Sequence, residues 1–495
     1  MIPLIQRAQQ HTDRTALLAP EGAFTYRQLI RASASVAGSL LNDARELQEA
    51  RVAFLTSPGF HYVATQWGIW RAGGVAVPLA VNHPLPELDY VLGDSEASVI
   101  VAHPDFETSV RPIAQARGLR FLLTTEALET RDVALPVVDA RRRAMILYTS
   151  GTTSKPKGAV TTHANIRAQV ESLITAWEWS ANDHILLFLP LHHIHGIINV
   201  LACALWAGAT CEIMPQFDAG QVWARIVDGD VTLLMAVPTI YSKLVAAWEA
   251  ASPERRRAMS AACVKMRLMV SGSAALPVRL LERWKEISGH RLLERYGMTE
   301  TGMILSNSLH GERRPGFVGT PLPNVETRIV DEQGRDVPEG TPGEILVRGP
   351  AVFREYWKKP DATAKAFRDG WFCTGDIAVF ESGMVRILGR GSVDIIKTGG
   401  YKVSALEIEE VLRTHPDIRE CAVIGVPDEI WGECVCAALV LNDKDELPLD
   451  ALRSWAKERL AHYKIPTKLL ALESLPRNAM GKVVKPELVK LLTGQ

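Results

Sequence analysis

Cysteine is scarce in this chain of 495 residues and scattered where it occurs. Cys203, Cys211, Cys263, Cys373, Cys421, Cys434 and Cys436 show no CxxC spacing and no histidine at ligand spacing, which argues against a disulfide framework and against a zinc site. They read as reduced core residues. Charge imbalance is missing too: 55 Lys and Arg against 56 Asp and Glu leave a formal net charge of -1. That removes any global electrostatic case for nucleic acid or an anionic membrane as partner, so anion binding must rest on local basic clusters. Long apolar runs are absent as well. The longest, Ile197 to Cys211, contains Asn199 and falls short of the about 20 residues that span a bilayer, so it reads as a buried helix. The opening MIPLIQRAQQHTDR has no signal-peptide apolar core and too little Arg and Ser for a transit peptide, which points to a cytoplasmic protein. No internal repeat or low-complexity segment is evident.

What is present is an ordinary globular composition, 47% hydrophobic and 22% charged, with length enough for two or more cores. From Arg51 to Val81 an apolar run (VAFL), a turn at Ser57-Pro58-Gly59, a helical stretch through Trp70, Gly73-Gly74 and a second run (VAVPLA) spell a βαβ unit. Strand-plus-helix units recur at Ser98 to Gln115, Thr232 to Trp248 and Met266 to Ile287. The first three quarters therefore read as α/β with largely parallel sheets. Between Val325 and Arg348, short alternating strands around DEQGRD and PEGTPG suggest an antiparallel subdomain. After Gly389-Arg390 the pattern changes to a helix opened by the capping box Ser404-Ala-Leu-Glu407 and closed before Pro416, the strands CAVIGV and CVCAALVL, and a helix from Leu449 to Tyr463. This predicts a separate α+β domain covering 391–495 after a larger one covering 1–390.

One stretch carries more chemistry than any other: YTSGTTSKPKG, from Tyr148 to Gly158. Gly151 lets backbone N–H groups approach an anion, Thr149, Ser150, Thr152, Thr153 and Ser154 add hydroxyls, and Lys155 and Lys157 add charge. The preceding AMIL reads as a buried strand, so the loop sits at a strand's carboxyl end, where α/β folds place ligands. A Walker A loop would need G-x-x-x-x-G-K-[ST] running straight into a helix. Here Lys157 precedes Gly158, Ala159 to Thr162 reads as another strand, and the helix starts only near His163. The competing reading is a Ser-, Thr- and Gly-rich surface turn.

Four further segments complete a pattern. Tyr296-Gly297-Met298-Thr299-Glu300 offers an aromatic, a glycine and a carboxylate; Thr374-Gly375-Asp376 ends a strand with an acid; Gly389-Arg390 opens a hinge; PRNAMGKVVK places Lys482 near the C-terminus. With GEILVRGP (Gly343 to Pro350) and GGYKVSALEIE (Gly399 to Glu409), the ordered set resembles the adenylate-forming superfamily of acyl-CoA synthetases, luciferases and peptide-synthetase adenylation domains, over nearly the whole chain.

The resemblance implies a large ATP- and carboxylate-binding domain, a small mobile C-terminal domain, and three small molecules: ATP, Mg²⁺ and coenzyme A. It implies that the loop holds the β and γ phosphates, that Glu300, beside Thr299, holds Mg²⁺, that Asp376 accepts the ribose hydroxyls with Arg390 assisting, and that Tyr296 lies against adenine. Lys482 would reach both the attacking carboxylate and the α-phosphate. Rotation of the small domain would then withdraw Lys482 and bring forward Thr398-Gly399-Gly400-Tyr401, with Lys402, to line a coenzyme A tunnel. The segment GRGSVDIIK runs one residue longer than in many relatives, so the pivot is either Val393 or Asp394. Ser154 stands where many relatives have Gly.

For the acid, Arg295 discriminates. Relatives that take fatty or aromatic acids often carry an uncharged residue there, whereas LLERYGMTETGM resembles malonyl-CoA synthetases, and GRGSVDIIKTGGYKVSALE resembles those of animal mitochondria. The physics agrees, because a second carboxylate must be paired once desolvated, and arginine pairs it in bidentate form. The alternative is that Arg295 pairs with Glu294 and leaves an apolar pocket. His193, in PLHHIHG, occupies the family's histidine position beside the acyl channel; His192 and His195 read as packing or hydrogen-bonding residues. Ser271-Gly272-Ser273-Ala274-Ala275 and Pro238-Thr239 read as pocket and adenine walls. The sequence thus predicts a malonate:CoA ligase that also takes methylmalonate. The alternatives are a short-chain or aryl mono-acid ligase, an enzyme loading a carrier protein in trans, and, from another class, a non-catalytic adenylate-binding module.

Overall fold

The computed structural model describes residues 2–129, 133–149, 155–399, 401–442, 446–478 and 481–493. Among these residues the chain forms four sheets. The seven-stranded sheet contains the expected βαβ unit. Arg51–Leu55 pairs in parallel with Val75–Pro78 on one side and Val99–Ala102 on the other, and Arg143–Thr149 extends the sheet beyond Val75–Pro78. Strand residues such as Val52 to Leu55 are buried on both faces, which is why they read as continuous apolar runs rather than alternations.

The nine-stranded sheet carries His184–Leu187, Leu233–Ala236, Leu268–Ser271 and Leu293–Met298 as parallel neighbours, and ends in the antiparallel strands Gly302–Ser306 and Thr320–Pro321. Helix Phe60–Arg71 is apolar almost all round and buries Trp67 and Trp70, so it belongs to the core rather than the surface. Helix His163–Trp177 begins where the sequence placed it, because Thr162 and Asn165 form a reciprocal capping box.

The antiparallel expectation also holds. Glu326–Val330 pairs with Gly343–Arg348, and this hairpin joins the long strands Trp371–Glu381 and Met384–Arg390. The last sheet is built from Ile395–Thr398, Tyr401–Ser404, Ile418–Asp428, Gly432–Leu441 and Lys468–Ala471. The two apolar clusters on its faces draw only on residues from Ile396 onward.

Four local expectations differ from the structure. Thr374-Gly375-Asp376 does not end a strand but lies inside Trp371–Glu381, which stays paired through an irregularity after Ile377. The run Ile197 to Cys211 is helical only to Ala207; Gly208, at φ +78°, terminates the helix, and Thr210–Ile213 is a strand. The helix expected through Tyr463 ends at Lys457, and the chain turns so that Leu460 and Ile465 return to the same core. Ser404 caps its helix by accepting from the Glu407 N–H, but the Glu407 carboxylate pairs with Lys464 at 2.5 Å instead of completing the box.

Candidate active site

Strand register brings TGD and GR together. Asp376 lies opposite Arg390 in the antiparallel pair, and the Arg390 Nε stands 2.9 Å from Asp376 Oδ1 while its Nη1 donates to the Thr374 carbonyl at 2.9 Å. Gly375, at φ +72°, takes a conformation that L side chains rarely adopt, and its N–H donates to Glu344 Oε1 at 2.9 Å. Tyr296 donates its hydroxyl to Asp376 Oδ2. Burial raises the Asp376 carboxyl above its ordinary value, while Arg390 and the Tyr296 hydroxyl pull it back.

Glu300 follows the turn between Leu293–Met298 and Gly302–Ser306, is buried, and accepts the Tyr356 hydroxyl at 2.8 Å. Tyr356 was not singled out from sequence. Its segment pairs with the strand after the phosphate-type loop, Tyr356 opposite Ala159, and its ring lies 5.3 Å below Lys157 Nζ. Thr149 opposes Lys157 across the hairpin and donates its hydroxyl to the Lys157 carbonyl at 3.5 Å. Ser150, Gly151, Thr152, Thr153 and Ser154 lie outside the described residues, as does Gly400.

Arg295 occupies the neighbouring strand, opposite Ser306. It is 3% exposed, and among the described residues no carboxylate stands within ion-pair distance of its guanidinium. Glu294, one residue earlier, accepts from the Leu276 N–H at 3.4 Å and does not pair with it. Burial alone accounts for the fall of Arg295 to about 9, which leaves it charged at neutral pH. Its hydrogen bond goes to Ser273, Nη2 to Oγ at 3.3 Å, and among the described residues Nε has no partner. Gly272 makes the approach possible, since a Cβ there would stand 2.5 Å from Arg295 Cζ. Ser273 itself sits at φ +69° and also contacts His195 Nδ1 at 3.2 Å. Only the smallness of SGSAA hinted at Ser273. The buried Ser271 hydroxyl also lacks a partner.

The histidine cluster is held neutral. Burial, then the charge of Lys482 and then His83, lowers His193 to about 4; burial, then His193 and His83, lowers His192 to about 2. His195 falls well below its ordinary value through burial, then Arg295 and His193. Among the described residues no group of three or more His, Cys, Asp or Glu could hold a metal ion.

Lys482 lies beside the bridge between Arg477 and Val483, with the Asn478 N–H donating to the Lys482 carbonyl at 2.9 Å and the Lys482 N–H to Asn478 Oδ1 at 3.0 Å. Burial lowers its ammonium below the ordinary lysine value, Arg390 and Arg295 lower it further, and Asp376 opposes them. Lys482 is nevertheless an exposed residue, so water reaches it. Arg295, Arg390, Asp376 and His193 are thus each within electrostatic reach of Lys482, which comes from near the C-terminus.

Gly399 and Lys402 are engaged elsewhere. Gly399, at φ +54°, packs under Trp431, and Lys402 Nζ pairs with Glu332 Oε1 at 2.6 Å. Both pivot candidates lie in the turn after Arg390: the Val393 and Asp394 N–H groups donate to the Arg390 carbonyl at 3.1 and 2.7 Å. Asp394 also accepts from the Arg390 N–H at 3.0 Å and pairs with Lys485 at 2.6 Å.

Mostly parallel sheets, a Ser/Thr/Gly/Lys loop at a strand end, and a lysine delivered from a separately cored C-terminal sheet define the class of adenylate-forming enzymes. The AMP-binding enzyme model matches residues 4–357, and the AMP-binding enzyme C-terminal domain model matches 407–482. The chain belongs to the AMP-binding enzyme family. It is 47% identical to the mitochondrial malonate–CoA ligase ACSF3 of Mus musculus, over 99% of this chain and 91% of that protein. Identity to the Homo sapiens counterpart is 46%, over 99% and 92%. The crystal structure of ATP-bound MatB from Rhodopseudomonas palustris superposes with a TM-score of 0.90 at 35% identity, covering 99% of this chain and 98% of that one. No helix among the described residues is long and apolar enough to cross a membrane.

Proposed function

We propose that this protein is an ATP-dependent malonate–CoA ligase that also accepts methylmalonate. A malonate carboxylate oxygen attacks the α-phosphorus of ATP, the bond to the bridging oxygen breaks, and pyrophosphate leaves. The thiol sulfur of coenzyme A then attacks the acyl carbon, loses its proton, and expels AMP. The observation that carries the substrate assignment is Arg295: a buried guanidinium, charged, with no carboxylate partner among the described residues, facing the same cleft as Lys482. Removing a charge from water without a partner is costly, and a second substrate carboxylate supplies the partner. The names of the vertebrate relatives agree with this substrate.

In this reading Lys482 and Arg390 offset the charge that gathers when an anion attacks an anionic phosphate. Asp376 takes the ribose hydroxyls, Tyr296 faces adenine, and Lys155, Lys157 and the loop from Thr149 hold the β and γ phosphates. Glu300 with Thr299 suits Mg²⁺, which takes one or two carboxylates plus phosphate oxygens rather than a protein cage; these residues would hold the ion, which would supply positive charge toward the leaving pyrophosphate. His193, Ser271 and Gly272 line the acid's side of the cleft. The division falls at 1–390 and 391–495, and rotation of the second part brings Gly399, Gly400 and Lys402 toward coenzyme A, which requires the Lys402–Glu332 pair to part. Free cysteines fit a reducing compartment, and we assign the cytoplasm; cell fractionation tests this against the mitochondrion named for the vertebrate ligases.

The test is pyrophosphate release from purified protein with ATP, Mg²⁺ and a panel of acids, with and without coenzyme A. Malonate and methylmalonate should exceed acetate, octanoate and benzoate; equal signals would defeat the dicarboxylate assignment, and silence with every acid would favour a binding module. Gly272→Ala serves as an independent check. Its methyl must displace the Arg295 guanidinium, so KM for malonate should rise about tenfold while KM for ATP stays within about twofold.

A further inference from the structure

Each lysine flanking the phosphate-type loop lies over a tyrosine ring whose hydroxyl is tied to a carboxylate. Lys157 lies over Tyr356, which is bonded to Glu300; Lys155 Nζ lies 5.4 Å from the centre of Tyr90, whose hydroxyl reaches Asp94 Oδ1 at 3.4 Å. The first arrangement belongs to the site already described. The second involves residues with no assigned role.

Asp94 gathers groups from three separate segments. Its Oδ2 accepts the Tyr148 hydroxyl at 2.9 Å, and its Oδ1 accepts from Lys359 Nζ at 2.9 Å, with the Tyr90 hydroxyl oxygen 3.4 Å away. Tyr90 has one hydroxyl proton, and the Pro156 carbonyl at 2.8 Å is its nearer acceptor. Tyr148 precedes the loop and Pro156 closes it, so one carboxylate and one tyrosine hold both ends. Lys359 follows the segment that carries Tyr356, which connects the same carboxylate to the partner of Glu300. Position adds a second argument. Asp94 is the last residue of helix Leu85–Asp94, where a negative side chain opposes the negative end of the helix dipole, so helix stability does not explain it. An ionised carboxylate accepts at both oxygens, here from Tyr148 and from Lys359, which an asparagine amide with one accepting oxygen cannot match. Burial, then Asp94, raises Tyr90, and burial and Asp94 push Tyr148 well above its ordinary value, so both remain donors at working pH.

We propose that Asp94 and Tyr90 are positioning residues for the β,γ-phosphate site: they fix where the loop starts and ends and aim the Lys155 ammonium by a cation–π contact. The proposal rests on the loop's assignment to those phosphates and names the residues that pre-orient it. A merely structural role would weaken all nucleotides alike. A role at the β,γ-phosphate site spares AMP, which lacks those phosphates.

The experiment is calorimetric titration of wild-type protein, Asp94→Asn and Tyr90→Phe with Mg²⁺ and the non-hydrolysable analogue AMP-PNP, and separately with AMP. For Asp94→Asn the AMP-PNP Kd should rise about tenfold, and for Tyr90→Phe about threefold, with AMP within about twofold of wild type in both. Unchanged AMP-PNP affinity, or equal weakening of both nucleotides, overturns the proposal. Should Asp94→Asn fail to fold, Tyr148→Phe removes a single hydroxyl and is read with the same two ligands. Both readouts are binding constants of nucleotides, so this outcome is independent of which acid the enzyme activates; failure of the malonate assignment shows only in the acid panel.

Discussion

Replacing Lys482 by alanine is expected to lower the rate of malonyl-adenylate formation about 10²- to 10³-fold while leaving thioester formation from preformed malonyl-adenylate within a few-fold of wild type. The first figure is the usual cost of deleting one preorganised donor aimed at developing charge. The asymmetry follows from placement. Lys482 shares a field with Arg390, Arg295 and Asp376, which in the proposed reaction is where the attacking carboxylate and the α-phosphate meet. Once the adenylate exists, that anion–anion encounter is over. The two half-reactions are separable by ATP–pyrophosphate exchange and by coenzyme A-dependent release of AMP from synthetic adenylate. Equal loss in both would show that Lys482 supports the fold of the cleft rather than the first step.

The same residue sets the direction of a pH effect. Lys482 must be protonated to stabilise negative charge, and burial and the two arginines lower its pKa. Adenylation should therefore decline with rising pH earlier than an ordinary lysine, near 10.4, would allow. Asp376 must be ionised, and burial raises its pKa, so the acid limb should begin above the ordinary aspartate range. Lys482→Ala should lose the alkaline limb and keep the acid one. That contrast separates a titrating lysine from general alkaline unfolding.

Much of this was legible in the sequence because strands buried on both faces are written as short apolar runs and chemistry-bearing loops as clusters of Gly, Ser, Thr and Lys. The helix expected near His163 starts there, and Thr162 caps it. What the sequence concealed were meetings set by register and side-chain direction. Tyr356 reaches Glu300 because a two-residue strand adds to the edge of the seven-stranded sheet, a pairing with too few residues to show periodicity. Ser273 holds Arg295 and His195 from a left-handed backbone conformation that serine takes only rarely, and no pattern of apolar and polar residues encodes it. Asp94 looks like any acid at a helix end until Tyr148, Tyr90 and Lys359 arrive from elsewhere. The choice between Arg295 pairing with Glu294 and facing the cleft was equally beyond sequence. Consecutive strand residues point to opposite faces, which separates the two side chains.

That separation supports the second large effect. Arg295→Ala is expected to reduce kcat/KM for malonate about 10²- to 10³-fold, following the roughly 3–5 kcal/mol that loss of one partner costs a buried charged pair. The penalty falls on the substrate: its second carboxylate would enter a desolvated site with no cation in bidentate reach. A mono-acid of similar length has no such group, so acetate and propionate should keep their rates or gain, since an uncompensated guanidinium no longer opposes an apolar methyl. Arg295→Lys should fall between, retaining charge but losing the fork. If Arg295 served only packing, alanine would depress all acids together and lower the melting temperature in proportion. A selective loss, with KM for ATP unchanged, follows only if the guanidinium meets the distal carboxylate itself. Selectivity in this enzyme then resides in one buried charge kept without a protein partner by Gly272, which leaves it room, and Ser273, which offers a hydroxyl too weak to neutralise it.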